Sequence, residues 1–289
     1  MKVAIIGLGL MGGSLGRALI KKTDCTVYAC DKNEDSLKKG ELLGCYGERL
    51  TKENAGEVDL AVITVYPSAF FDCAYEWCKY LKAGATVVDC GGNKRVAVKD
   101  MERLVEVYPD INFIATHPMA GREFSGVEHS TASLYENCSW LICAVRASLE
   151  SISALKRTLK AVGARKIVHT SPEEHDRIIA YTSQLCHVVS SCMVKSPTAE
   201  KGLGFTAGSF RDLTRVARLS PEMWAELFLQ NADNLIGEIE SMERRLKEYR
   251  IALETGDEAK LKALLQDGTD RKISIDRSFQ KFFKDEDKG

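Results

Sequence analysis

Apolar and polar positions follow two different rhythms along this chain. Up to residue 170, short apolar runs recur at Lys2–Ile6, Thr26–Cys30, Leu60–Val65, Thr86–Asp89, Asn112–Ala115, Ser139–Ala144 and Lys166–His169. Runs of that length, apolar throughout rather than alternating, suit strands covered on both faces. Between them, the stretches near 12–22, 34–43, 68–81, 95–107 and 149–162 carry apolar residues at helical spacing. Strands alternating with helices predict βαβ units, a mainly parallel sheet and right-handed crossovers.

The second rhythm starts at Ser171-Pro172-Glu173-Glu174. A serine cap, a proline at the first helical position and two acids form a helix start. The spacing predicts a helix over 174–194, with Ile178, Ile179, Thr182, Leu185, Cys186, Val189 and Met193 on one apolar face. Another helix starts at Ser220-Pro221-Glu222 and continues through Leu235, Ile239, Met242, Leu246 and Tyr249. Those five form a heptad seam, expected to be buried within its own domain, with a partner subunit as the other reading. Residues 257–266 predict a further short helix, and the charged tail after Gln280 is expected to fray. The chain therefore divides into an α/β domain over 1–170 and an all-α domain over 171–289, which should abut without a linker.

Gly7-Leu8-Gly9-Leu10-Met11-Gly12 follows the first run at once and opens a helix. Gly7 permits the tight turn, Gly9 lets the backbone approach a pyrophosphate, and Gly12 lets the helix press on the strand. The amides at Leu10, Met11 and Gly12 then point a positive helix end at phosphate. A glycine-rich turn without a ligand is the plainer alternative. Context favours the first, because the next strand ends in Cys30-Asp31, where an acid can accept hydrogen bonds from both adenosine ribose hydroxyls. An acid there repels the extra phosphate of NADP, so the expected cofactor is NAD on a Rossmann-type domain. Asp31 as a mere helix cap stays open, although Asn33 can do that work.

Composition narrows the class. The chain has 289 residues, 45% hydrophobic and 28% charged, enough for a proper core. Its 40 basic and 41 acidic residues leave a net charge of −1, no footprint for nucleic acid or an anionic membrane. No apolar run reaches membrane-spanning length, and the first run is too short for an export signal. The ten cysteines lack the paired spacing of a zinc site and are expected as free thiols in a cytoplasmic protein, with no metal.

Chemistry concentrates in three places. Ala115-Thr116-His117-Pro118-Met119-Ala120-Gly121-Arg122-Glu123-Phe124-Ser125-Gly126 leaves a strand at the carboxyl edge, where open α/β sheets place ligands. His117 can take a hydroxyl proton while hydride leaves the same carbon; a histidine that only caps the loop is the alternative. His129 and His169 have less context. Glu174-His175-Asp176, Gln184 and His187 form a second group, with Gln184 and His187 facing either a cleft or water. The third is Gly208-Ser209-Phe210-Arg211-Asp212-Leu213-Thr214-Arg215, followed by Pro221-Glu222-Met223-Trp224. Arg211 and Arg215 are expected on one helical face, as carboxylate ligands or in surface ion pairs.

Three blocks in this order, GLGLMGGSLGRAL, THPMAGREFSGVEHS and SFRDLTRVARLSPEMW, resemble the prephenate and arogenate dehydrogenases of tyrosine biosynthesis. The resemblance implies NAD-dependent oxidative decarboxylation of prephenate to 4-hydroxyphenylpyruvate. It places the catalytic histidine on His117, the main substrate arginine on Arg215 and a cleft histidine on His187, and the Glu-Glu-His-Asp run at 173–176 matches the family's opening of the helical domain; Gln184, and Arg122 or Arg211 toward the side-chain carboxylate, are expected as further substrate contacts. It also implies a homodimer joined through the helical domain, and no length remains for a regulatory domain after it. Two departures stand out. Many members carry a serine that bonds the catalytic histidine, and here the turn Asp89-Cys90-Gly91-Gly92-Asn93-Lys94 puts Gly92 there, leaving Asn93, Ser125 or water as substitutes. Gln184 stands where many bacterial members have histidine. Arogenate as substrate is an alternative, as is a different hydroxy-acid dehydrogenase relying on Lys94 or Lys195, or a non-catalytic NAD-binding sensor.

Overall fold

The computed structural model describes residues 1–202 and 204–284. Eight strands form one sheet: β1 (Lys2–Ile6), β2 (Thr26–Cys30), β3 (Glu48–Arg49), β4 (Leu60–Ile63), β5 (Thr86–Asp89), β6 (Asn112–Pro118), β7 (Ser139–Arg146) and β8 (Lys166–His169). Their order is β3-β2-β1-β4-β5-β6-β7-β8, parallel throughout except for the β6–β7 pair. The reversal of strand order beside β1 creates the crevice at which such sheets bind ligands. The central strands are buried along nearly their whole length, as their uniform apolar runs require.

Helices α1 (Leu10–Lys22), α2 (Glu34–Leu42), α3 (Pro67–Cys78), α4 (Arg95–Val107) and α5 (Leu149–Val162) lie between the strands as the spacing predicts. They cover two apolar layers, one built on Ile5, Leu19, Val62, Trp140 and Leu159, the other on Ala4, Phe70, Val87, Met101 and Phe113. β4 stops at Ile63 instead of Val65 and β7 runs on past Ala144 to Arg146, and two further differences matter more. β3, only two residues long, left no periodic signal. β6 runs on to Pro118 because Thr116, His117 and Pro118 pair with Ile142, Leu141 and Trp140 of β7. His117 therefore sits on a strand, not in the loop after it.

The later helices are α6 (Pro172–Ile179), α7 (Cys186–Val194), α8 (Gly208–Thr214), α9 (Pro221–Gln230), α10 (Ala232–Glu254) and α11 (Glu258–Lys284). A π-helical turn, Ala180–Leu185, joins α6 to α7. The helix expected from Ser220 onward is two helices, broken at Asn231, whose side chain bonds the Asp176 carbonyl and the Gln184 amide oxygen. The short helix expected over 257–266 continues to Lys284 as α11, covering the first residues of the tail expected to fray; 285–289 lie outside the described residues.

Packing divides the chain into one compact unit over Met1–Leu235 and another from Ile236 onward. That division falls later than 170, because α6 packs on α4 and α9 on α3. Within the second unit Ile239 and Met242 are half-buried, while Leu246 of the heptad seam stays 61% exposed. Leu253, Leu265 and Ile273 are exposed as well.

Candidate active site

The turn from β1 into α1 shows what each glycine does. A Cβ on Gly12 would lie 2.1 Å from the Gly7 carbonyl oxygen and 2.5 Å from Thr64 Oγ1, so only glycine lets α1 start this close to β1 and β4. A Cβ on Gly9 would meet nothing within 4 Å; that face is open to a ligand. The first intrahelical bond runs from the Gly13 amide to the Gly9 carbonyl, which leaves the amides of Leu10, Met11 and Gly12 pointing out of the helix end. No side chain caps that end and no acid lies in the first turn. It is suited to a phosphate.

Asp31 stands beside this turn. Its carboxylate accepts from the Leu8 amide at 2.6 Å and from the Asn33 amide at 2.7 Å. Asn33, not Asp31, caps α2, through bonds to the amides of Asp35 and Ser36. Each Asp31 oxygen keeps a further lone pair for a ligand hydroxyl.

His117, at the carboxyl end of β6, meets the helices. Its Nδ1 lies 2.9 Å from Nε2 of His175, and Nδ1 of His175 lies 2.7 Å from Oδ1 of Asp176. Asp176 also accepts from the backbone amides of Lys94 and Arg95, at 2.7 and 3.0 Å, and from Arg95 Nε at 3.2 Å. Below this chain Lys94, wholly buried, donates its ammonium to Asp89 and, at 2.6 Å, to the Thr116 carbonyl. Burial first, then the charges of His175 and Lys94, holds the His117 imidazole well below its ordinary value of 6.5. His117 is accordingly a neutral ring at neutral pH.

A second cluster surrounds the 3₁₀ turn Arg215–Ala217 that ends α8. Arg215 pairs with Glu123, six residues after His117. His187 on α7 bonds the Val216 carbonyl at 2.9 Å, and its ring centre lies 3.9 Å from that of Trp224. Arg215 and His187 thus share one neighbourhood, and Glu123 ties it to the segment that follows His117. The expected Arg211–Arg215 helical face is interrupted, since α8 ends at Thr214 and tightens into the 3₁₀ turn; Arg211 is exposed. Arg122 turns back on its own loop, donating to the His129 carbonyl at 3.3 Å and standing 5.7 Å over the Phe124 ring.

Gln184 differs most from expectation. It is 1% exposed, donates to Asn93 Oδ1 at 3.0 Å and accepts from Asn231 Nδ2 at 2.8 Å. Its amide is held inside a polar layer instead of facing a cleft or water. The buried face of α6 and α7 is in fact His175, Asp176, Ile179, Ala180, Gln184, Leu185 and Ser190, while Ile178, Thr182 and Cys186 of the expected apolar face are exposed. Polar groups are buried here because the surface they meet is polar: Asn93 and the amides that start α4.

Comparison with known proteins shows the family. Residues 15–168 match the family described as "Prephenate dehydrogenase, nucleotide-binding domain", and residues 171–267 match "Prephenate dehydrogenase, dimerization domain". The chain belongs to the prephenate dehydrogenase family. It is 29% identical over 266 residues to a cyclohexadienyl dehydrogenase of Zymomonas mobilis, covering 88% of this chain and 89% of that one. It is 28% identical over 266 residues to a Bacillus subtilis prephenate dehydrogenase, covering 88% and 71%. Among solved structures, the A. aeolicus prephenate dehydrogenase in complex with hydroxyphenyl propionate and NAD+ superposes with a TM-score of 0.81 at 27% identity, covering 95% of this chain and 98% of that one. The Synechocystis arogenate dehydrogenase superposes with a TM-score of 0.78 at 19% identity, covering 95% and 100%, a likeness of fold.

As a member of this family the chain lacks a side chain at Gly92, and the two protein substitutes named above are otherwise placed. Asn93 is buried and donates to the Leu227 carbonyl at 2.8 Å, and Ser125 is exposed. His175 is the group that bonds His117. His175 and Asp176 belong to the second group of candidate residues in the sequence; what the sequence did not supply is their contact with His117. Lys94, an alternative catalytic lysine, has its ammonium held by Asp89 and Thr116, and Lys195 is exposed beyond α7. Among the described residues no cluster of three metal-binding side chains occurs, and no helix is long and apolar enough to cross a membrane.

Proposed function

We propose that this chain catalyses the NAD-dependent oxidative decarboxylation of prephenate, with residues 1–170 binding the dinucleotide and 171–289 supplying substrate contacts and a homodimer interface. The observation that carries the reading is a neutral imidazole at the carboxyl edge of the sheet, linked through the segment 117–123 to a guanidinium among the helices. The open turn at Gly9, the outward amides of Leu10, Met11 and Gly12, and the Asp31 carboxylate fit a dinucleotide without a 2′-phosphate. Bound there, NAD supplies the hydride acceptor.

His117 takes the proton of the ring hydroxyl as hydride leaves the same carbon, giving a ring ketone. Loss of the ring carboxylate as carbon dioxide then sends its bonding electrons through the ring to that oxygen, and the phenolate takes a proton back from His117. Because aromatisation drives that departure, the protein has to orient the substrate and accept one proton. Arg215 exchanges Glu123 for a substrate carboxylate, a charge-assisted pair of the same kind. His187, stacked near Trp224, lines that end, and Arg122 and Arg211 offer further cations from the two flanking segments.

Glu123 favours a second reading. Its carboxyl is held below the usual value, by its own backbone amide first and then by Arg215, so it is an anion beside the substrate arginine. Arogenate, which carries an ammonium on its side chain, would find a partner there that prephenate does not need. Assays of NADH formation with prephenate, arogenate and 3-hydroxyisobutyrate, on the parent protein and on His117→Asn, test both. The expected result is turnover of a cyclohexadienyl substrate that falls by about 10²–10⁴-fold in His117→Asn, the usual contribution of a general base. Turnover of 3-hydroxyisobutyrate alone, or an undiminished variant, would overturn the reading.

A further inference from the structure

We propose that His175 and Asp176 are positioning residues that fix the tautomer of His117, holding its one proton on Nδ1 and leaving Nε2 as the bare acceptor. The role assigned to that acceptor rests on the reading above; the tautomer itself does not.

The argument follows the hydrogen bonds from their one unambiguous end. An ionised carboxylate can only accept, so the 2.7 Å contact between Asp176 Oδ1 and His175 Nδ1 requires the proton on that nitrogen. A neutral imidazole has a single N–H, so Nε2 of His175 is an acceptor. It lies 2.9 Å from Nδ1 of His117, which must therefore donate. The proton of His117 is then committed to Nδ1, and Nε2 carries a free lone pair. One carboxylate dictates the protonation of a ring two links away.

Both premises hold in this environment. Burial raises the Asp176 carboxyl, but its bonds from His175 and from the amides of Lys94 and Arg95 outweigh it, and the group stays below its ordinary value. Burial lowers His175, and the Asp176 hydrogen bond opposes this without reversing it. The charged groups acting on the pair are Asp89 and Lys94 from the β5–α4 turn, Arg95 from α4, and Asp176 itself. The buried ammonium of Lys94 adds a positive charge that disfavours a second proton on either ring. Arg95 anchors Asp176 in turn, since it also bonds Asn231 at 2.9 Å and Asp233 at 2.6 and 2.8 Å.

This arrangement answers the bare position at Gly92. Leu227 of α9 stands against that glycine, 3.2 Å from where a Cβ would lie, so even a serine there needs Leu227 to give way. The ring of His117 is oriented from its other nitrogen, by the helical half of the chain.

The tautomer is read directly by nitrogen-15 NMR of the intact protein labelled in histidine. At pH 7.5 the expected signature is Nδ1 protonated and Nε2 bare for His117; the reverse pattern overturns the proposal whatever the substrate proves to be. Variants extend the test. Asp176→Asn removes the charge that fixes the proton on His175 Nδ1, and turnover should fall about 10²–10⁴-fold with the Michaelis constant for NAD retained. Because Asp176 also receives the amides that begin α4, His175 gives a second, milder pair. His175→Gln can accept from His117 and donate to Asp176, and should keep turnover within about tenfold of the parent, whereas His175→Phe should lose about 100-fold or more. A His175→Phe protein with the parent's turnover and pH profile would overturn the proposal. A parent that turns over no cyclohexadienyl substrate, with the expected NMR pattern intact, would sink the functional reading alone.

Discussion

Asp31 joins the end of β2 to the glycine turn, and its proposed value as a cofactor ligand follows from being a half-buried carboxylate with lone pairs to spare. A hydrogen bond to a charged group contributes about 1.5–3 kcal/mol, or roughly 10- to 100-fold in binding. Asp31→Ser should therefore raise the Michaelis constant for NAD by about that factor and improve the use of NADP, whose phosphate no longer meets an anion. Initial rates with both cofactors check this, and an unchanged preference counts against Asp31. The motif and the acid were legible in the sequence because backbone geometry demands glycine at those places. His175 and Asp176 were legible as a candidate group but not as partners of His117, because nothing in a linear pattern tells which polar residues of a helix will meet a polar surface.

The π turn, Ala180–Leu185, has a consequence for the whole α6–α7 rod. His175 and His187 are twelve residues apart, and in a regular α-helix of ~100° per residue they would point about 120° apart. A π turn absorbs one extra residue, which brings the two to within about 20° of one face. That face carries His175 to His117 and His187 to the Arg215 turn. Inserting one alanine after Thr182, an exposed residue, adds a residue that the turn has not absorbed and should swing one histidine off by about 100°. The expected outcome is loss of turnover of at least about 10²-fold with helical content retained, measured by assay and circular dichroism. Full activity in that insertion would show that the shared face is not needed. The helix itself was legible from its Ser-Pro-Glu-Glu start; the extra residue was not, since i→i+5 bonding leaves no distinct spacing of apolar positions.

For the whole molecule, buried histidines couple folding to pH. His117, His175 and His187 all have values lowered in the folded state, each through burial first. In the unfolded chain they take up protons near pH 6.5, where the folded chain does not, so stability should be level above that pH and decline as pH falls below it. Melting temperatures at pH 7.5, 6.0 and 5.0 check the sign; a constant value across that window would contradict it. The exposed apolar residues Leu246, Leu253, Leu265 and Ile273 fall in the part of the chain from Ile236 onward, and residues 171–267 match a dimerization domain. Sedimentation velocity at micromolar concentration should accordingly find a dimer, and a monomer there would refute the proposed homodimer.

The sequence by itself determined the parallel sheet, its order of strands and helices, the phosphate-binding turn and the point at which strands give way to helices. These depend on local backbone geometry and on apolar periodicity, which a linear pattern carries. Only the tertiary structure decided that β6 extends to carry His117, that Gln184 is buried rather than facing outward, and that a histidine and an aspartate on α6 stand behind the His117 ring. Each of those is a polar contact between segments far apart in the chain, or a ladder between two strands, and its partner is fixed by folding alone.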